Sequence, residues 1–379
     1  MSLQLPPLSL YVHIPWCVRK CPYCDFNSHA VRDEIPEQLY VETLIEDLKS
    51  EHHYAQGREI GSIFIGGGTP SLFSGDSYKH LLDTINQIIP IAADAEITIE
   101  ANPGTFEQEK FSSYKDAGIN RLSLGIQSFN DKHLSHLGRI HSADEAIHAA
   151  SLAREIFPNL NLDLMHGLPG QSLEQALGDL EQAINLQPDH LSWYQLTIEP
   201  NTEFHAKPPT LPVDETLWTI QEQGQAKIAE AGFTQYEISA YAKSEQQQSQ
   251  HNLNYWTFGD YLGVGAGAHG KITLLDDNKV LRRWKQKQPK AYMNSETRLQ
   301  GCEQIKTDEL GFEFMLNALR LTEGVPSRLL TERTGLPVQQ IENELSKARA
   351  MKLLCEESSL IKPTKQGRLF LNDLLELFL

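Results

Sequence analysis

The sequence predicts an α/β fold: a partial (β/α)6, TIM-like barrel followed by a small, mainly helical, winged-helix-like appendage. Three observations predict it. Short apolar runs rich in β-formers alternate six times with longer segments of helical periodicity, which argues for parallel strands joined by helical crossovers. Segments with chemical character follow the first strands, and in a β/α barrel the chemistry sits at the C-terminal strand ends. The alternation stops near residue 240, and from about 290 onward the chain reads as helical. An open Rossmann-like sheet is the second reading of the same alternation.

Residues 9–15, "SLYVHIP", read as the first strand, and 36–53 as a helix with Leu39, Val41, Leu44, Ile45 and Leu48 near helical spacing. The next pairs are strand 60–67 with helix 76–89, strand 96–102 with helix 107–117, and strand 121–127 with helix 142–156. Strand 160–167 with helix 172–186 and strand 190–198 with helix 213–231 complete the six units. Residues 242–252, "AKSEQQQSQHN", are polar and read as an exposed loop. The chain divides accordingly into a barrel over 1–240, a connecting segment over 241–290 and a helical domain over 291–379.

A formal net charge of −17 argues against a phosphate backbone as a general partner, since nucleic-acid binders carry a basic excess. No apolar run approaches the roughly 20 residues that span a bilayer. The N-terminus has no basic segment followed by an apolar core, so no signal peptide is read. The five cysteines are odd in number and clustered, unlike a disulfide framework, and a cytoplasmic location fits them.

Cys17, Cys21 and Cys24 have the spacing Cys-x3-Cys-x2-Cys, with Pro22 among them. Proline removes a backbone donor and disfavours a helix, so a loop is expected that wraps three sulfurs around one inorganic group. Zinc would take a fourth protein ligand, for which His13 and His29 are near in sequence. A [4Fe–4S] cluster held by three thiolates keeps one iron open to a small molecule. After the next strand comes "GGGTP", Gly66 to Pro70, whose glycines let backbone approach a ligand closely.

With those motifs together, the chain resembles the radical S-adenosylmethionine superfamily, and within it the oxygen-independent coproporphyrinogen III oxidase-like family. The resemblance implies a [4Fe–4S] cluster on Cys17, Cys21 and Cys24, with S-adenosylmethionine chelating the open iron and cleaved reductively to a 5′-deoxyadenosyl radical. It further places Tyr11 near cluster and cofactor, Gly67, Gly68 and Thr69 at the methionine end, and Glu100 opposite the methionine ammonium. Gln127 and Arg139 would complete the pocket, and Asp163 would meet the ribose hydroxyls. Tyr23 and Phe26 would shield the cluster or the adenine. Read singly, Glu100 and Asp163 could equally be caps or ion-pair partners, and Arg139 a surface charge.

The oxidase branch has a fourth cysteine, Cys-x-Cys, where this chain has Phe26, and a longer N-terminal arm. Both departures resemble the haem-chaperone branch, which binds haem and passes it to haem-requiring respiratory proteins. "HNLNYW", His251 to Trp256, is a pattern of that branch and suggests His251, Tyr255 and Trp256 as haem contacts, or else an ordinary loop and packed segment. The runner-up activity is a radical oxidase of coproporphyrinogen or of another substrate. The basic island Arg282, Arg283, Lys285, Lys287 and Lys290 reads as a solvated face, or as a site for porphyrin propionates or an acidic partner. Cys302 and Cys355 read as partly buried thiols, and the apolar C-terminus "LFLNDLLELFL" as a helix on the barrel mouth. A homodimer and a peripheral membrane contact through a partner stay open.

Overall fold

The computed structural model describes residues 3–104 and 109–379. Its six leading strands are β1 (Leu8–Ile14), β2 (Ile60–Gly67), β3 (Ile91–Ala101), β4 (Arg121–Gln127), β5 (Asn159–His166) and β6 (His190–Gln195). They pair in parallel in chain order. The helices between and after them are α1 (Glu37–Glu51), α2 (Gly75–Ile88), α3 (Phe111–Asp116), α4 (Ala143–Ile156), α5 (Leu173–Asn185) and α6 (Asp214–Glu230). Each expected strand and helix is present within a few residues of its expected bounds, except that α3 is shorter and residues 107–108 of its expected span lie outside the described residues.

The period-two pattern explains why this sheet has an apolar back and a polar front. On β1, Leu8, Leu10, Val12 and Ile14 are buried in the main core against Tyr40, Leu44 and Leu48 of α1. The intervening Ser9, Tyr11 and His13 therefore face the other side, since successive strand side chains alternate. There Ser9 Oγ meets Ser62 Oγ of β2 at 2.7 Å. The same front carries Ser123, Asn161 and Ser192, linked through Asn161: its Nδ2 donates to Ser123 Oγ at 2.8 Å, and its Oδ1 accepts from Ser192 Oγ at 3.1 Å. Three of these helices, α2, α4 and α5, start at side-chain caps. Ser142 and Ser172 form capping boxes with Glu145 and Gln175, and Ser74 caps α2.

The segment 241–290, expected as a connector with an exposed loop at its start, belongs instead to the sheet. After β7 (Thr234–Glu237) and β8 (Ala240–Ala242) come a short helix, α7 (Gln250–Trp256), and strands β9 (Asp260–Val264), β10 (His269–Leu274) and β11 (Lys279–Lys285). With β12 (Leu299–Gln304) they complete a twelve-stranded sheet in the order β12-β11-β10-β9-β1-β2-β3-β4-β5-β6-β8-β7. β9 lies parallel to β1, so seven parallel strands form the centre, with antiparallel strands at both edges. The two ends of that order do not pair among the described residues, so the barrel is open. Asp260 anchors β9: fully buried, it accepts from Arg58 Nη1 at 2.8 Å and from Lys271 Nζ at 3.2 Å.

A second core lies in the C-terminal part, around α8 (Leu310–Ala318), α9 (Arg328–Thr334), α10 (Glu342–Ala350) and α11 (Leu371–Glu376), with a strand pair Val325–Pro326 and Leu360–Ile361. The apolar C-terminus packs here rather than on the barrel mouth: Leu374 and Phe378 are buried in this core, and α11 contacts α8. Cys302 is exposed, contrary to expectation, because it lies on the edge strand β12. Of the basic island, Arg283 and Lys285 are structural, held by Glu51 and Asp47 of α1.

Candidate functional site

Six parallel strands end on one cavity of about 480 Å3, which requires the sheet to curl around it. The loop after β1 contributes Cys17, Cys21, Tyr23, Cys24 and Phe26, and β2 with its following turn contributes Gly67, Gly68 and Thr69. Glu100 comes from β3, Gln127 from β4, Asp163 from β5, and Arg139 from the segment between β4 and α4. Twelve of the residues singled out in the sequence thus share one wall. Tyr11 does not.

The cysteine loop is a loop, as Pro22 demands, with a single turn in which Cys24 N–H donates to Cys21 O at 3.1 Å. All three thiols are free, and burial raises the Cys17 and Cys24 thiols above their ordinary range. Cys17 and Cys24 also sit in the field of the neighbouring thiols, which disfavours removing their protons unless a cation takes up the charge. Arg139 supplies part of it: its Nη1 lies 3.9 Å from Cys21 Sγ while its Nη2 donates to Asn102 Oδ1 at 2.6 Å and to Gly125 O at 2.7 Å. Its Nε is buried without a hydrogen-bond partner. Soft thiolates around an electropositive centre fit an iron–sulfur cluster. The histidines proposed as a fourth zinc ligand, His13 and His29, line a different cavity, and His13 is engaged on both ring nitrogens, by Tyr11 Oη at 2.7 Å and Asn27 O at 2.9 Å. Among the described residues, no three His, Cys, Asp or Glu side chains gather to hold a single metal ion.

The glycine turn is built by close approach. Gly67 has φ +112°, and a Cβ there would lie 2.5 Å from the His13 ring. A Cβ on Gly68 would lie 2.5 Å from Trp16 O. The backbone N–H groups of this turn are used within the protein. Gly67 N–H donates to Glu100 Oε2 at 3.1 Å, Gly68 N–H to Ile14 O and Thr69 N–H to Trp16 O, each of the last two at 2.7 Å. What the turn offers a ligand is its shape, its backbone carbonyl oxygens and the Thr69 hydroxyl.

Glu100 is half-buried at the cavity wall, and desolvation together with repulsion from Asp163 pushes its carboxyl up to about 8. Its one hydrogen bond, from Gly67, does not offset that. A carboxyl in this state gains most when a cation arrives. Asp163 is better satisfied, with Asn161 Nδ2 at 2.8 Å and Ser123 Oγ at 2.9 Å, although burial raises it too. Gln127 takes φ +70°, and its Oε1 accepts from Tyr194 Oη at 2.9 Å.

A second cavity of about 850 Å3 adjoins the first, and Phe26, Gly67 and Glu100 belong to the walls of both. Tyr11, His251, Tyr255 and Trp256 line this larger one. Tyr11 stacks on Phe64 at 6.1 Å between ring centroids, so its ring faces the second cavity rather than the cysteines. His251 lies on α7, stacked on Phe64 at 4.0 Å, and Tyr255 meets it edge-on at 6.1 Å. Lys20, Arg282 and Lys287 also line the cavity, so part of the basic island faces it. Phe26 is 57% exposed at the junction.

The sequence reading missed Glu96. Its Oε1 sits 3.1 Å from His251 Nδ1, and its Oε2 lies 3.6 Å from Arg121 Nε. Burial opposes its charge, but Arg121 and His251 outweigh burial and hold the carboxyl at about 2.

Known proteins resemble this chain over its whole length. The model of the radical SAM superfamily matches residues 11–183, and that of the HemN C-terminal domain matches residues 305–370. "Heme chaperone HemW" of Escherichia coli is 54% identical over 378 residues, covering 100% of this chain and 99% of that protein. The chain belongs to the HemW family of radical SAM proteins. A HemW of Haemophilus influenzae is 52% identical across 99% of both chains, and one of Bacillus subtilis is 35% identical over 98% of this chain and 99% of its own. The coproporphyrinogen III oxidase HemN of Escherichia coli has the same fold, with a TM-score of 0.81 at 23% identity, over 99% of this chain and 90% of the oxidase. Membership of the HemW family implies a [4Fe–4S] cluster and S-adenosylmethionine as cofactors and haem as cargo.

Proposed function

We propose that this chain is a cytoplasmic haem chaperone, which binds haem in the larger cavity and delivers it to haem-requiring respiratory proteins. The observation that carries the reading is the pair of adjoining cavities with Phe26 in their shared wall. Cys17, Cys21 and Cys24 would hold the [4Fe–4S] cluster, and the smaller cavity would hold S-adenosylmethionine, its ammonium near Glu100 and its ribose near Asp163. When bound, that pair supplies reductive cleavage of the sulfonium. Phe26 places a ring where the oxidase branch has a thiol, so no thiol is available there for redox or hydrogen transfer.

The larger cavity has the size and lining of a macrocycle site. Its volume is within the roughly 300–1,000 Å3 usual for small-molecule sites. Tyr11, Phe64, Tyr255 and Trp256 give it flat apolar walls, Lys20, Arg282 and Lys287 give cations for propionates, and His251 gives an imidazole for iron. No helix among the described residues is long and apolar enough to cross a membrane. Delivery to a membrane-bound acceptor would then proceed by contact, with a homodimer as one form of the carrier.

Haem titration of the cluster-loaded protein tests the reading. The wild type is expected to give a Soret shift, and His251→Ala a weaker and spectrally different one; no Soret change in the wild type overturns the proposal. The intact cofactor cavity favours one other reading, a radical oxidase. Anaerobic incubation with S-adenosylmethionine, reductant and coproporphyrinogen III decides between them. Divinyl product matched by 5′-deoxyadenosine would replace the chaperone reading.

A further inference from the structure

We infer that Glu96 is the positioning residue for His251, fixing its tautomer and strengthening its Nε2 as a ligand to haem iron. The inference rests on the haem reading of the larger cavity. Three observations carry it. Glu96 Oε1 lies 3.1 Å from His251 Nδ1, on strand β3 and helix α7, 155 residues apart. The same oxygen accepts the backbone N–H of Gln250 at 3.0 Å and of His251 at 3.4 Å, so the start of α7 is tied to this carboxylate. The other oxygen faces Arg121, buried at 2% exposure, which keeps the carboxylate charged without occupying Oε1.

Hydrogen-bond chemistry then fixes the imidazole. An ionised carboxylate only accepts, so the hydrogen between Glu96 and His251 sits on Nδ1. The nearby Ser249 Oγ, 2.9 Å from Nδ1, does not alter this, because it can accept as well as donate. Nε2 therefore keeps its lone pair, the form in which imidazole binds a metal. A carboxylate behind a metal-binding histidine holds the ring in place and makes it a stronger donor. Phe64, stacked on the ring at 4.0 Å, restricts the remaining rotation.

A purely structural role is the competing account, since Glu96 also anchors α7 and pairs with Arg121. Glu96→Gln separates the two, because the amide oxygen can still accept the backbone hydrogens of Gln250 and His251 while the charge behind Nδ1 is gone. The Glu96→Gln/Arg121→Gln pair removes the unbalanced cation as well, so the test survives if the single variant folds poorly. Each variant, loaded with cluster, is titrated with haem, and the Soret position and haem midpoint potential are recorded beside thermal stability. The expected result is about a tenfold or greater loss of haem affinity and a potential shifted upward, in a folded protein. In combination with His251→Ala the loss should not add. Haem affinity and potential equal to wild type in the folded glutamine variants, while His251→Ala alone weakens binding, overturns the inference, as does an additive loss. Identical haem binding by wild type and His251→Ala overturns the ligand reading itself, which is a different failure.

Discussion

Glu100 is the cavity carboxyl furthest from its ordinary ionisation, and its behaviour is measurable. Its carboxyl ionises at about 8 in the folded chain against an ordinary value of 4.5. The folded state therefore keeps a proton that the unfolded state has lost. The stability this group contributes is present in full below about pH 4.5 and is lost as pH rises through about 8. Urea titrations across that window are expected to show a downward slope that flattens in Glu100→Gln. If the methionine ammonium pairs with this carboxylate, binding of S-adenosylmethionine at pH 7 expels about one proton. Calorimetry in buffers of different ionisation heat should find it in the wild type and not in Glu100→Gln. At the same scale, Cys21→Ser is expected to lose the brown absorbance and the four-iron content of the anaerobically prepared protein, and retention of both would remove Cys21 as a ligand. The sequence disclosed the cysteines, Glu100 and Asp163 because motifs and strand ends mark them. It concealed Glu96, whose meaning depends on His251, far along the chain, and it did not show that Tyr11 lines the larger of the two adjoining cavities, because which face of β1 carries which cavity depends on how the sheet curls.

Among the elements, the β2 turn tolerates little change. Gly67 combines φ +112° with a ring 2.5 Å from where its Cβ would be, and that ring is held by Tyr11 and Asn27. Gly67→Ala is expected to cost about 1–3 kcal/mol, read as a lower thermal midpoint together with weaker binding of S-adenosylmethionine. An unchanged midpoint and affinity would mean that His13 moves freely. The six β/α units were legible because each strand alternates apolar and polar residues and each helix keeps its apolar stripe, with serine caps at several starts. The stretch from 241 to 290 was not legible. Its helix, α7, has only seven residues, too few for periodicity to register. The glycines of "GVGAGAHG" hide the end of β9 and the start of β10, since glycine carries no side chain for a pattern. Their closeness to His13, Asn27 and the neighbouring strand becomes evident only in three dimensions.

Across the whole molecule, the last strands are fastened to the first helix by buried charge. Lys285 Nζ reaches Asp47 Oδ1 at 2.6 Å and Glu51 Oε1 at 2.7 Å, and Arg283 Nη2 reaches Glu51 Oε1 at 2.8 Å. Lys285→Met leaves two buried carboxylates with one cation between them and is expected to cost about 3–5 kcal/mol, measured by urea unfolding. Unfolding in two separate steps would show that the β9–β12 side loosens first, whereas unchanged stability would mean the carboxylates take up protons without loss. The pairing of β9 with β1 has a consequence of another kind. Leu8 is partnered by Asp260 and Val12 by Val264, so during synthesis one flank of β1 must wait for a partner made some 250 residues later. At ribosomal speeds of about 5–20 residues per second that delay is roughly 10–50 s. Throughout it the nascent chain presents an unpaired, apolar strand, and the emerging polypeptide is then most exposed to mispairing with its neighbours on the same messenger.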